Sequence, residues 1–105
     1  MNVEMSRMSV RVRVSGVLDG SRAMQLLSGL DRFRTGAVIV DFSGVRRFEA
    51  FGVDLLVKGL GRRPRAGGTR IRCTGLPPCV AERLREQEIE IVESLRPPQW
   101  APWAP

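Results

Sequence analysis

The sequence predicts one α/β domain, built on a central mixed β-sheet of about four to five strands with about three or four helices packed on it. Strand-like apolar patterns, alternating or continuous, occur at 8–15, 37–42, 69–74 and 89–92. Between them, apolar residues repeat every three to four positions, as in amphipathic helices, at 21–34, 50–61 and 78–87. We expect the domain to cover residues 1–93 and a tail to cover 94–105.

The first clear strand, 8–15, alternates valine with arginine. Val10, Val12 and Val14 share one face and are expected in the core, with Arg11 and Arg13 on the polar outer face. The segment before it, 1–7, is either a short edge strand or a frayed start.

The first helix, 21–34, follows a turn that breaks this alternation. Asp19 or Ser21 can cap it, because a short oxygen side chain accepts hydrogen bonds from the free N–H groups of a first turn. Its apolar stripe ends at Phe33, and Thr35–Gly36 is a plausible stop signal.

The middle of the chain reads as a buried strand, a turn and a helix. The run Val38–Val40 is entirely β-branched, which favours a strand covered on both faces. Turn residues follow from Asp41 to Gly44, and a loop leads from there to the helix at 50–61. The spacing of Asp54 and Lys58 favours an ion pair along that helix. Since functional sites in α/β folds often follow a central strand, the loop and first turn at 48–52 are the candidate site.

The remaining segments complete the domain. The basic, turn-rich link at 62–68 is either solvated surface or a phosphate contact. Alternation in strand 69–74 places Cys73 in the core. A helix is predicted at 78–87, opened by a proline at its first turn, and 89–92 is a short strand or an extended segment.

The tail at 94–105 has a different composition, with four of the seven prolines and both tryptophans. Proline cannot extend a helix or a central strand. The tail is either a docking peptide for a partner, with tryptophan as its anchor, or a segment that lies against its own domain or stays disordered.

Composition narrows the function. The chain has 105 residues, no apolar run long enough to cross a bilayer, and no apolar signal-peptide core, so we expect a cytoplasmic protein. Its net charge of +6 comes from scattered arginines and does not by itself indicate specific nucleic-acid binding. With two cysteines, no histidine and no phosphate-binding glycine motif, the sequence argues against an enzyme, a zinc site or a bound cofactor.

Two sequence motifs, together with the order of the predicted strands and helices, give the chain a resemblance to a known family. Gly16-Val17-Leu18-Asp19 follows the first strand, and Val38-Ile39-Val40-Asp41-Phe42-Ser43-Gly44-Val45 ends the buried one. The chain resembles, over residues 8–92, the STAS domain family, the fold of bacterial anti-sigma-factor antagonists and of the cytoplasmic ends of sulfate transporters. The resemblance implies the STAS fold and a non-catalytic role in protein–protein contact.

The chain departs from that family at the start of the second long helix. Phospho-regulated members carry an acidic residue, two hydroxyl residues and a glycine there, and the hydroxyl before the glycine takes the phosphate. This chain has Glu49-Ala50-Phe51-Gly52, so Phe51 occupies the phosphoacceptor position. Phe51 is either an exposed anchor for a partner or a core residue that closes the loop. Glu49 is either part of a contact surface or a helix cap.

The resemblance also implies where a partner would bind. The family-equivalent residues are Asp19, Arg46, Arg47, Phe48, Glu49, Ala50, Phe51, Gly52 and Asp54, with Ser21 and Lys58 beside them. The implied partner is an anti-sigma factor of the switch-kinase type, in bacterial signalling and transcription regulation. The alternative is the ATPase of an ABC-type lipid-transport system, with this chain as its STAS subunit. A homodimer is a further candidate, and nucleic-acid binding would need the loop arginines at 46, 47, 62, 63 and 65 to form one patch.

Overall fold

The computed structural model describes residues 1–5, 9–33, 36–62, 70–93 and 98–100. Within these ranges the elements are β1 (Asn2–Met5), β2 (Ser9–Leu18), α1 (Gly20–Leu30), β3 (Ala37–Phe48), α2 (Ala50–Gly61), β4 (Arg70–Thr74), α3 (Pro78–Glu86) and β5 (Glu90–Val92). The predicted α/β class is confirmed. Apart from Arg62, the predicted basic link at 62–68 lies outside the described residues, as do 94–97 and 101–105 of the tail.

The strands form one mixed sheet in the order β1-β2-β3-β4-β5. β1 is antiparallel to β2, so the start of the chain forms the edge strand that was one of its two predicted alternatives. The other neighbours are parallel. No helix in the described ranges is both long and apolar enough to span a bilayer.

A single hydrophobic core lies between the helices and one face of the sheet. The register places Val12 beside Val40 and Val40 beside Cys73, and all three are buried. Leu26 of α1 and Leu56 of α2 are buried in the same core, as is Leu84 of α3. Burial of these apolar side chains supplies the main stabilisation of the fold.

The opposite face of the sheet is lined with charged side chains. An ion pair joins Arg11 to the buried Asp41 at 3.5 Å, and Arg72 binds Glu90 at 3.0 Å. Ile39 lies between Arg11 and Arg72 in register and is only half-buried. The expectation that the run Val38–Val40 is covered on both faces is therefore wrong at Ile39, because this residue lies on the charged face away from the core and stays half-buried.

The strand β3 is longer than predicted. It continues to Phe48, where the sequence suggested a loop after residue 42, and β2 continues beside it to Leu18. Two register shifts let the strands stay paired past Gly16, whose φ of +80° suits a residue without a side chain. The residues predicted to form a turn lie inside β3 instead, where Asp41 Oδ1 accepts a hydrogen bond from the Ser43 backbone N–H at 2.9 Å.

The helices follow the predictions except at their ends. α2 has the predicted bounds, and α3 ends one residue early, at Glu86. α1 ends at Leu30 rather than at 34, since the N–H groups of Arg32 and Phe33 bond to carbonyls only three residues back. Phe33 still packs against the core as predicted.

Three residues of the tail lie against the domain. The Gln99 N–H donates to the Ser43 carbonyl at 2.7 Å, and Trp100 Nε1 donates to the Gly75 carbonyl at 2.7 Å. Gly75 has a φ of +74°, and a Cβ there would lie 2.5 Å from the Ser43 nitrogen. For residues 98–100, the structure therefore matches the reading of the tail as a segment packed on its own domain.

Candidate partner-binding surface

The first part of the candidate site is the junction between β2 and α1. Asp19 is the N-cap of α1, and its Oδ1 accepts from the Arg22 backbone N–H at 2.8 Å. Of the two caps that the sequence offered, the structure uses Asp19, and Ser21 lies exposed in the first turn. A cap of this kind holds the direction in which the helix leaves the sheet.

The second part is the junction between β3 and α2. Glu49 is the N-cap residue of α2, which is one of its two predicted roles, although its side chain makes no capping hydrogen bond. Its carboxylate instead accepts from the Arg47 guanidinium at 2.9 Å. The extended backbone explains this, because residues two apart on a strand face the same side.

The two junctions are held together by backbone contact. The Glu49 N–H donates to the Leu18 carbonyl at 3.0 Å. Gly52 is buried, and a Cβ on it would lie 2.5 Å from the Leu18 oxygen and 2.7 Å from the Asp19 carbonyl. Only a residue without a side chain allows this approach. Gly52 thus brings the start of α2 against the end of β2.

Phe51 is 67% exposed, so of its two readings the structure has the exposed one. Its ring lies over Gly20, where a Cβ would stand 2.7 Å from the ring carbons Cδ1 and Cε1. Leu55 lies one turn further along α2 and also faces Gly20. Met24, 57% exposed, lies one turn from Gly20 along α1. We call Met24, Phe51 and Leu55 the Phe51 surface.

The remaining predicted residues surround this surface or support it. Arg46, Arg47 and Ala50 are exposed. Phe48 is half-buried, its ring centroid 6.4 Å from that of Phe42, so it belongs partly to the core. Asp54 does not make the expected pair along its own helix, and its carboxylate binds Arg83 of α3 at 2.8 Å. That ion pair ties α2 to α3, and Lys58 stays exposed.

The chemistry of this region is that of a contact surface. Residues 48–52 carry no hydroxyl and no thiol. Among the described residues, no group of three or more His, Cys, Asp or Glu side chains could hold a metal ion. Of the two thiols, Cys79 is exposed and Cys73 is fully buried. Burial raises the pKa of Cys73 to about 12, so this thiol stays protonated and unreactive at neutral pH.

Comparison with known proteins identifies the family. The family model described as "Mlab, STAS domain" matches residues 1–96. This chain belongs to the STAS domain family. No curated protein sequence matches it.

Two solved structures support the same STAS fold. The unphosphorylated anti-sigma factor antagonist SpoIIAA has a TM-score of 0.62 and 17% identity, covering 89% of this chain and 87% of SpoIIAA. The crystal structure of Mglu has a TM-score of 0.52 and 20% identity, and it covers 88% of this chain. The matched region is 18% of the Mglu chain, so this STAS domain is similar to a small part of that protein.

Sequence reasoning found the two junctions of this STAS domain but not the apolar side chains next to them. Met24 and Leu55 were read only as parts of helices, whereas the structure leaves Met24 exposed and brings Leu55 and Phe51 close to Gly20. One signal was available, since Leu55 follows Phe51 by four residues and such pairs lie on one helix face. The approach of α1 to α2 at Gly20 has no comparable signal, because it depends on how the two helices cross.

Proposed function

We propose that this STAS domain is a non-catalytic, cytoplasmic protein–protein interaction module of bacterial signalling and transcription regulation, similar in role to anti-sigma-factor antagonists. Its partner would be an anti-sigma factor of the switch-kinase type. The binding site would be the Phe51 surface together with the neighbouring exposed residues Arg46, Arg47 and Ala50.

The exposure of Phe51 is the observation that carries this proposal. Large aromatic side chains are more often buried than exposed, and an exposed apolar patch is typical of an interaction site. The phenylalanine side chain has no polar group that can hydrogen-bond to water, and its ring rests on the backbone of Gly20 rather than in the core. Aromatic residues of this kind are typical anchors of protein interfaces.

The same residue supports binding without a phosphate switch at this position. Phosphorylation would place about 1.5–2 negative charges at the start of α2, where helix N–H groups favour them. Phe51 has no atom that can accept a phosphate. Binding at this surface would then be constitutive, or controlled elsewhere in the chain.

Titration of this chain with an anti-sigma factor of the switch-kinase type tests the proposal. We expect Phe51→Ala to weaken binding by about thirtyfold, as removal of an interface anchor does. Val92→Ala is the matched control, because Val92 is also exposed but lies on the edge strand β5. Equal affinities for Phe51→Ala and the unchanged chain would contradict the proposed site.

Incubation with the same kinase and ATP, followed by mass spectrometry, tests the absence of a switch. We expect no phosphate on residues 48–54, since that segment has no hydroxyl side chain. Phosphate at Ser43, which is half-buried within β3, would show that a switch exists at another site.

A second candidate is the STAS subunit of an ABC-type lipid-transport system, bound to its ATPase. The family-model match covers the STAS domain that this candidate also requires. The apolar Phe51 surface suits such an assembly equally well, since it needs no phosphate. Co-purification with an ABC ATPase, and not with a sigma-regulatory protein, would favour this candidate.

A further inference from the structure

The edge strand β1 exposes an alternating row of apolar side chains. Val3 is 48% exposed, Met1 45% and Met5 74%. In register, Val3 lies beside Val12 and Met5 beside Val10, so the row continues the core-facing side of the sheet out to its edge.

An apolar groove runs beside this row. It has a volume of about 210 Å³ and separates β1 from α1. Val3 lines one side, and Leu26, Leu30 and Phe33 line the helix side. The groove opens at the edge of the sheet. A strand placed next to β1 would therefore extend the sheet side of the groove.

The edge at β1 carries no lysine, proline or bulge, which are three of the devices that block strand pairing at such edges, and its register with β2 is continuous over Asn2–Met5. Its one charged residue, Glu4, is paired with Arg13 on the neighbouring strand β2. At the opposite edge, β5 has three residues and its Glu90 is bonded to Arg70 and Arg72.

We propose that β1 pairs with β1 of a second copy of this chain, antiparallel about a two-fold axis at Val3. The segment Met1-Asn2-Val3-Glu4-Met5 is complementary to itself in this register. Val3 faces the second copy's Val3, Met1 faces the second copy's Met5, and Asn2 faces the second copy's Glu4. Such a dimer is isologous, and it joins the two sheets into one.

The charges on the other face of the sheet are compatible with this register and disfavour one centred on Glu4. Glu4 lies beside Arg11, and its carboxylate contacts Arg13 at 3.6 Å. Centring the pair of β1 strands on Val3 sets Glu4 opposite the neutral Asn2 of the second copy. Glu4 then has Arg11 on the side of its own β2, and the second copy's Arg13 lies on the far side of that Asn2. Centring it on Glu4 would set two carboxylates directly opposite each other, which is unfavourable.

The contact is short, so the dimer should form and dissociate with concentration. A stable interface buries roughly 1,200 Å² or more, and β1 offers only four residues to such a contact. Val3, at the centre, is the residue whose change should matter most.

Sedimentation equilibrium over a range of concentrations tests the proposal. We expect the mass to rise from 11.7 kDa towards twice that value. Val3→Lys should raise the dissociation constant at least about tenfold by placing two ammonium groups at the axis. Val92→Lys, on the other edge strand, should leave it unchanged. A mass that stays monomeric at every concentration overturns the proposal, as does an unchanged dissociation constant in a folded Val3→Lys chain.

Disulfide cross-linking tests the register and does not depend on the lysine variant. In a Cys79→Ser background, Val3→Cys should form a cross-linked dimer, because directly opposed residues have Cα atoms about 4.5–5.5 Å apart. Met5→Cys should not, because its counterpart would lie about 14 Å away along the strands. Cross-linking that is equal in the two variants, or stronger in Met5→Cys, overturns the proposed axis.

Discussion

Cys73 should make the stability of the domain fall at alkaline pH. It is fully buried in β4, between Val40 and Ile91 in register. Burial disfavours the thiolate and raises the pKa of this thiol from its ordinary 9.0 to about 12. In the unfolded chain the thiol is hydrated and ionises near its ordinary value. Between these two pKa values the unfolded state loses the proton that the folded state keeps, so stability decreases as the pH rises.

The size of the effect follows from the two pKa values. Each pH unit between 9.0 and about 12 lowers the free energy of unfolding by about 1.4 kcal/mol. From about pH 8 to about pH 10.5 the loss attributable to Cys73 is therefore about 2 kcal/mol. That is a large share of the 5–15 kcal/mol, roughly, that holds a small domain together.

Urea unfolding followed by circular dichroism, at several pH values, measures this loss. The matched control is Cys73→Ala, which should be less stable at every pH but should lose about 2 kcal/mol less over the same interval. The chain has no histidine or tyrosine, so few other groups change charge there, and those that do are common to both proteins. Parallel pH profiles for the two proteins would refute the reasoning.

Three further predictions concern the junctions and the tail, each measured by urea unfolding. Asp19→Ala should cost about 1 kcal/mol, because a first-turn N–H loses its acceptor; no loss would contradict the cap. Gly52→Ala should cost about 2 kcal/mol or more, whereas Gly29→Ala, with open space around it, should be neutral or stabilising; similar effects would rule out the close approach. Trp100→Phe should cost about 1 kcal/mol by leaving the Gly75 carbonyl without its donor, and an unchanged midpoint would argue that the tail contributes nothing.

Much of the fold could be predicted because the apolar periods are local. The alternation of Val10, Val12 and Val14 and the spacing of the apolar residues in α2 fix strand and helix without reference to the rest of the chain. Boundaries were less accurate where a partner strand decides them. β3 continues to Phe48 only because β2 runs beside it and satisfies its backbone groups.

The candidate surface could be predicted only in part, and for a similar reason. The resemblance at Gly16–Asp19 and Val38–Val45 located both junctions. It could not tell that the Glu49 side chain binds Arg47 and makes no capping hydrogen bond, or that Asp54 reaches Arg83 on another helix. A charged side chain of this length can reach several partners, and the choice among them depends on distances that only the packed structure sets.

The sequence alone determined the class of this protein, an α/β chain with STAS motifs and no hydroxyl at residues 48–52, because residue types and local periods are properties of the chain itself. The tertiary structure decided that Phe51 is exposed. A phenylalanine at a helix start can turn inward or outward, and here the backbone contact at Gly52 brings α2 so close to β2 that the ring rests on Gly20 at the surface. The structure likewise left β1 at an edge with its apolar row exposed, since the position of a strand in a sheet is set by its neighbours and not by its own residues.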